Sequence, residues 1–156
     1  MLKRVLLLSA IIFSGCTLLP EPSLPIKREP VIPADGSTPI GPYSPGIKVG
    51  NMLFCSGQLA INPATGDLII GDIKDETRQA LKNLGAVLKA AGMDYKDVTK
   101  TTVYLLDMND FKLYNEAYAE FFPENSQPPA RETVQVARLP RDGRIEISCI
   151  AVKAEE

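Results

Sequence analysis

The sequence contains no histidine and no tryptophan. Without an imidazole, neither a Ser-His-Asp nor a Cys-His catalytic arrangement can be built, and histidine-ligated zinc is excluded as well. Cysteine is scarce: the three residues Cys16, Cys55 and Cys149 form no CxxC pair and match no redox or metal spacing. No basic run exceeds two residues and the net charge is −2, so the electrostatic footprint of a nucleic-acid binder is missing. No glycine-rich phosphate loop occurs. The apolar stretch at residues 5–13 is too short to cross a bilayer, which takes about 20 residues.

What is present starts at the N-terminus. Lys3 and Arg4 precede the apolar stretch, and Phe13-Ser14-Gly15 places small residues directly before Cys16. That order fits a cleavable signal peptide. Its end resembles the lipobox of bacterial lipoproteins, where the thiol is acylated and the chain is cut before the cysteine. Phe13 departs from the usual leucine. We therefore read residues 1–15 as a lipoprotein signal peptide and Cys16 as the lipidated residue; the alternative is an ordinary secretory signal with an incidental cysteine. Thr17, rather than aspartate, follows Cys16, which points to the outer membrane, facing the periplasm. Cleavage removes two cations and no acid and leaves about 140 residues, enough for one domain with a core and not two.

Proline recurs from Pro20 to Pro45. Residues 16–33 read as the lipidated cysteine and an extended, semi-rigid tether, and residues 34–154 as the folded domain. Within it, residues 47–58 read as two strands joined at Gly50-Asn51. Asp72 can cap a helix on which Ile73, Thr77, Leu81, Leu84, Leu88 and Ala91 share one face, with Gly92 as its stop. Residues 101–106 are β-branched and apolar, hence a strand. Asp110 can cap a second helix that carries Phe111, Tyr114, Tyr118 and Phe121 on one side and ends at Pro123. Residues 132–137 and 144–152 are the last strands. The order β-β-α-β-α-β-β predicts an α+β, two-layer fold with two helices on one face of a sheet. In the last strand Ile145, Ile147, Cys149 and Ala151 point one way, and Glu146, Ser148, Ile150 and Val152 the other. The second set is a mixed face suited to a subunit contact. Cys55 and Cys149 lie in apolar strands, either as buried free thiols or, in an oxidising compartment, as a disulfide.

Several local strings converge. Ile40-Gly41-Pro42-Tyr43-Ser44 precedes the first strand; Ser56-Gly57-Gln58 ends the second and leads to Asn62-Pro63-Ala64-Thr65-Gly66. Asn109-Asp110-Phe111 runs through Asn115 to Phe121-Phe122. Pro129-Ala130-Arg131 precedes Val136-Ala137-Arg138-Leu139-Pro140, and Ile145-Glu146-Ile147 sits in the last strand. In order and spacing these resemble the RidA (YjgF) family of reactive-intermediate deaminases, over about residues 31–153. The resemblance implies a chorismate-mutase-like (YjgF-like) fold assembled as a homotrimer with sites in clefts between subunits. It implies hydrolysis of 2-imino or 2-enamino acids to 2-oxo acids and ammonia, with no metal and no organic cofactor. The family's functional positions fall on Tyr43, Ser56, Gly57, Asn115, Arg131 and Glu146.

The residue types suit that chemistry. Arg131 offers a planar, permanently charged fork for the substrate carboxylate. Glu146, on the mixed face, can orient a water and draw its proton as it attacks C2. Ser56 and Gly57 can present a hydroxyl and backbone groups, Tyr43 can close the pocket, and Asn115 can bond across a cleft. Two positions depart from the family's pattern: Thr133 stands where many members have cysteine, and Ser148 where many have a second glutamate. Three functions compete on this reading: an imine deaminase, a non-catalytic periplasmic binding module for small carboxylates, and a holdase-like surface protein. Only the first needs both Arg131 and Glu146. The expected partners are a small 2-imino or 2-oxo acid, further copies of the chain and a membrane, and not nucleic acid.

Overall fold

The computed structural model describes residues 27–154, so the signal peptide, Cys16 and the tether up to residue 26 lie outside the described residues. Strands β1 (Arg28–Val31), β2 (Gly46–Val49), β3 (Met52–Leu59), β4 (Val98–Leu105), β5 (Ala130–Gln135) and β6 (Ile145–Val152) form one sheet. Their order across it is β1-β2-β3-β6-β4-β5. Helix α1 (Ile73–Ala90) runs between β3 and β4, and α2 (Phe111–Tyr118) between β4 and β5. Strands β4 and β5 are parallel because α2 crosses over between them; the other neighbours are antiparallel.

The alternation expected in the last strand is realised: Ile145, Ile147, Cys149 and Ala151 are buried and their alternates half-exposed. The buried set meets Leu81, Leu84 and Leu88 of α1 and Tyr114 and Tyr118 of α2 in one core. Both helices therefore lie on the same face. The other face presents Phe54, Tyr104, Val134 and Ile150, which register places on one side of the pleat. Phe54 and Val134 remain 42% and 44% exposed there.

Local chemistry explains most of the boundaries. Asp72 caps α1 as expected, accepting from the Asp75 amide at 2.9 Å. Gly50 turns β2 into β3 at φ 60°, a left-handed value that costs glycine little. Asp110 precedes α2 but makes no side-chain cap bond, contrary to expectation; its carboxylate accepts from Arg144 at 2.8 Å. Helix α2 stops at Tyr118, so Phe121 lies beyond it, and β4 and β5 begin earlier than expected, at Val98 and Ala130. The larger correction concerns the tether. Its expected end at residue 33 is wrong, because Arg28–Val31 pairs with β2 and belongs to the sheet. Proline density reads as an extended tether, but β1 is an edge strand, where Pro30 is tolerated because its outer side has no neighbour to donate to.

One ion cluster ties the layers together. Arg144 lies 2.8 Å from Asp110 and 3.6 Å from Glu76. Glu76 is 2% exposed and its carboxylate also accepts from the Gly71 and Arg144 amides. Burial outweighs these partners and raises the Glu76 carboxyl above its ordinary value. A raised folded pKa makes Glu76's contribution complete below its unfolded pKa; that contribution is lost as pH rises through the folded one. Arg144→Ala removes the cation and raises Glu76 further. We expect a loss of about 2 kcal/mol, below the range for a fully buried pair because the guanidinium is partly exposed. The deficit should grow between about pH 4 and pH 7, as read from urea melts of both chains at the two pH values.

Candidate functional site

The first half of the site is built by α2 and the start of β5. Tyr114 and Tyr118 are one helical turn apart, so their rings stand together with centroids 6.4 Å apart. The Arg131 guanidinium lies over both, 4.6 Å from the Tyr118 ring and 5.4 Å from that of Tyr114. Each ring is fixed by its hydroxyl: Tyr118 bonds Thr101 at 2.8 Å, and Tyr114 bonds Thr133 at 2.6 Å. Burial raises the pKa of both phenols, which keeps them neutral beneath the cation. Among the described residues Arg131 has no carboxylate within ion-pair distance; two aromatic faces hold it and leave its N–H fork unpaired. A cleft of about 450 Å³ opens beside it, lined by Asn115, Tyr118, Phe122, Pro128 and Pro129, with Glu124 also contributing. Such a fork takes a carboxylate in a bidentate pair.

The second half lies at the junction of β3 and β6. Glu146 is half-buried, and desolvation raises its carboxyl above the ordinary value. Its room is made by Gly57. A Cβ built on that glycine would overlap Glu146 Oε1. Gly57 falls within the register shift between Cys55 and Gln58, which lets backbone and carboxylate approach. Ser56 uses its hydroxyl hydrogen within the chain. It donates to the Ser44 carbonyl at 2.8 Å, while its amide donates to Pro45 at 2.9 Å. These bonds fasten the loop that carries Tyr43 onto β3. Tyr43 is 45% exposed, and its phenol oxygen accepts from the Ile40 amide at 3.4 Å.

The two halves do not meet within one chain. Arg131 stands opposite Thr101, which stands opposite Cys149, so Arg131 leaves the sheet on the helix side. Glu146 stands opposite Tyr104 and leaves on the uncovered side. Arg131 and Asn115 share a cleft; Gly57 and Glu146 share a contact; neither pair reaches the other. Sequence reasoning missed Tyr118, Tyr114 and Thr133 as supports of Arg131, reading both rings as packing. Their spacing of one turn, on the helix that leads into an Arg-initiated strand, is the signal that was available. Among the described residues no group of three or more Cys, Asp or Glu side chains is gathered as for a metal ion.

Known proteins resemble this chain in sequence and in fold. The sequence model of the family described as Endoribonuclease L-PSP matches residues 35–153. A RutC family protein of Pyrococcus horikoshii is 54% identical over 126 residues, covering 81% of this chain and 98% of that protein. The mouse protein named 2-iminobutanoate/2-iminopropanoate deaminase is 46% identical over 128 residues, covering 82% of this chain and 93% of its own. The crystal structure of the YjgF gene product from E. coli superposes with a TM-score of 0.77 at 43% identity, covering 81% of this chain and 99% of that one.

The close approach of Gly57 to Glu146 is testable on stability alone. Gly57→Ala forces the carboxylate aside and should cost about 1–3 kcal/mol, as overpacking does. In the Glu146→Ala background the same change should cost little, because the obstructing carboxylate is gone. Chemical denaturation of the four chains of this double-mutant cycle measures the coupling. Equal losses in both backgrounds would refute the contact.

Proposed function

The chain belongs to the RidA (YjgF) family, and from that premise we propose that it is a deaminase-like hydrolase acting on 2-imino and 2-enamino acids. The products are the 2-oxo acid and ammonia. The observation that carries the reading is the pair of half-sites: an unpaired guanidinium fork on one face and a carboxylate of raised pKa on the other. Homotrimers are typical of the family, and in such an assembly the Arg131 cleft of one copy meets the Glu146 carboxylate of the next.

In this mechanism Arg131 holds the substrate carboxylate and so fixes the neighbouring C=N carbon. Glu146 orients a water and takes its proton as the oxygen attacks C2. That proton passes to the nitrogen, giving a carbinolamine; Glu146 then takes the proton of its hydroxyl and hands it to the amino group, which leaves as ammonia while the C=O forms. A carboxyl of raised pKa serves both steps better than an ordinary one, because it binds the proton long enough to return it. Free imines hydrolyse in water unaided, so placement of one water and one base suffices for much of the acceleration. Thr133 serves here as the anchor of Tyr114, a role a hydroxyl fills. The family also carries the name Endoribonuclease L-PSP. We propose no action on RNA for this chain, which has no histidine and a net charge of −2.

Localisation is proposed from the N-terminus alone: lipid on Cys16 and an outer-membrane position facing the periplasm. The family match begins at residue 35, after this segment. Cys16→Ser should abolish labelling by a radioactive fatty acid and retention in the detergent phase. A labelled Cys16→Ser chain would rule the anchor out.

Two enzymatic predictions follow from the division of labour. Arg131→Ala should lose 2-oxo acid binding and turnover together, and Arg131→Lys should restore little, since an ammonium lacks the fork. Glu146→Gln should keep binding but lose about 100- to 10,000-fold in turnover. Because burial lifts the Glu146 pKa above 4.5, kcat/KM should fall as pH drops through that raised value, and the limb should vanish in Glu146→Gln. Turnover of 2-iminobutanoate generated in situ, with titration of 2-oxobutanoate in parallel, checks all of these. The second prediction concerns assembly. Arg131→Ala and Glu146→Gln chains, unfolded together and refolded as a mixture, should regain roughly a quarter of wild-type activity, because some interfaces then pair two intact halves. Hybrid trimers without recovery would place both groups in one chain's site.

A further inference from the structure

Cys55 and Cys149 take no part in the chemistry above, and both are buried, at 7% and 4% exposure. They stand directly opposite each other on β3 and β6, on the helix-covered face and inside the main core. Directly opposed residues in an antiparallel pair have Cα atoms about 4.5–5.5 Å apart, inside the roughly 4.4–6.8 Å that a disulfide spans. The structure carries them as free thiols. We propose that Cys55 and Cys149 are a disulfide-forming pair whose oxidation clips β3 to β6 across the middle of the sheet. The proposal does not depend on the deaminase reading.

The oxidant belongs to the class of low-molecular-weight disulfides, such as oxidised glutathione. The thiolate of one cysteine attacks a sulfur of that disulfide, releasing one small thiol and leaving a mixed disulfide. The thiolate of the other cysteine attacks the protein-bound sulfur, forming the Cys55–Cys149 bond and releasing the second small thiol. Two electrons pass from the cysteines to the small disulfide, and the two cysteine protons end on the released thiols.

The fold sets when this happens. In the native core a hydrogen bond between the two thiols, together with burial, holds Cys149 protonated far above its ordinary range. A neutral thiol without solvent contact does not exchange. Strand β6 is the last in the chain yet sits between β3 and β4, so its insertion completes the sheet and closes off both sulfurs. The bond therefore forms during folding, in an oxidising milieu, and is then protected. The loop it closes contains both helices and most of the sheet, the case in which a cross-link removes most freedom from the unfolded chain. It also pins the register immediately before the irregular step at Gly57, where the Glu146 carboxylate is seated.

The test is to refold the full chain in a buffer of reduced and oxidised glutathione, block remaining thiols by alkylation, and map peptides without reduction. The expected product joins the Cys55 peptide to the Cys149 peptide, keeps the native far-UV circular dichroism, and melts more than about 5 °C above the reduced chain. Oxidised glutathione added to the reduced, already folded chain should link it only at the rate of unfolding. The Cys55→Ala/Cys149→Ala double variant should melt identically in both buffers. Alkylation of both cysteines after refolding, linkage to Cys16 instead, or a linked product without the native spectrum would each overturn the proposal.

Discussion

The pleat of β6 is the constraint on which the rest of the molecule depends. Ile145, Ile147, Cys149 and Ala151 are buried beneath the helices, and the residues between them face the other way. Removing that apolar set from water, at roughly 25 cal/mol per Å², is what seats α1 and α2 on one side. Because β6 lies between β3 and β4, its register dictates the face taken by residues of both neighbours. A slip of one residue would send Glu146 into the core and Ile145 into water, so burial and site placement are specified by the same pairing.

The separation of Arg131 from Glu146 is a direct consequence. On one face the two could pair with each other, which would occupy the fork and pull the carboxyl down. On opposite faces each keeps the state that the proposed chemistry needs. The guanidinium rests on two neutral phenol rings and retains its donors. The carboxylate loses water without gaining a cation, and its pKa rises. Arg144, close to Glu146 in sequence, is itself drawn away to Asp110 and Glu76. The cluster that fastens α1 to β6 thus also keeps a competing cation from the site.

Much of this architecture was legible in the chain. Period-two burial in residues 145–152 and the helical face from Ile73 to Ala91 gave the layers and their sides, because burial follows periodicity directly. The Asp72 cap was readable because capping is local. Strand β1 was hidden, since Pro30 is compatible with a strand only at an edge, and edge position is a property of the sheet. Asp110 looked like a cap because its partner Arg144 is distant in sequence.

The site divides the same way. Residue types alone determined that no histidine or basic tract could act; the resemblance in order and spacing of local strings pointed to Arg131 and Glu146, whose groups can hold a carboxylate and move a proton. Those are properties of functional groups, and they survive any fold. Tertiary structure alone decided that Ser56 spends its hydroxyl hydrogen on Ser44, that Gly57 is there to make room for Glu146, and that Tyr114 and Tyr118 carry Arg131. It also decided that Arg131 and Glu146 leave the sheet on opposite sides. Each of these depends on which strands are neighbours and in what register, and pairing between distant segments is settled by packing of the whole chain.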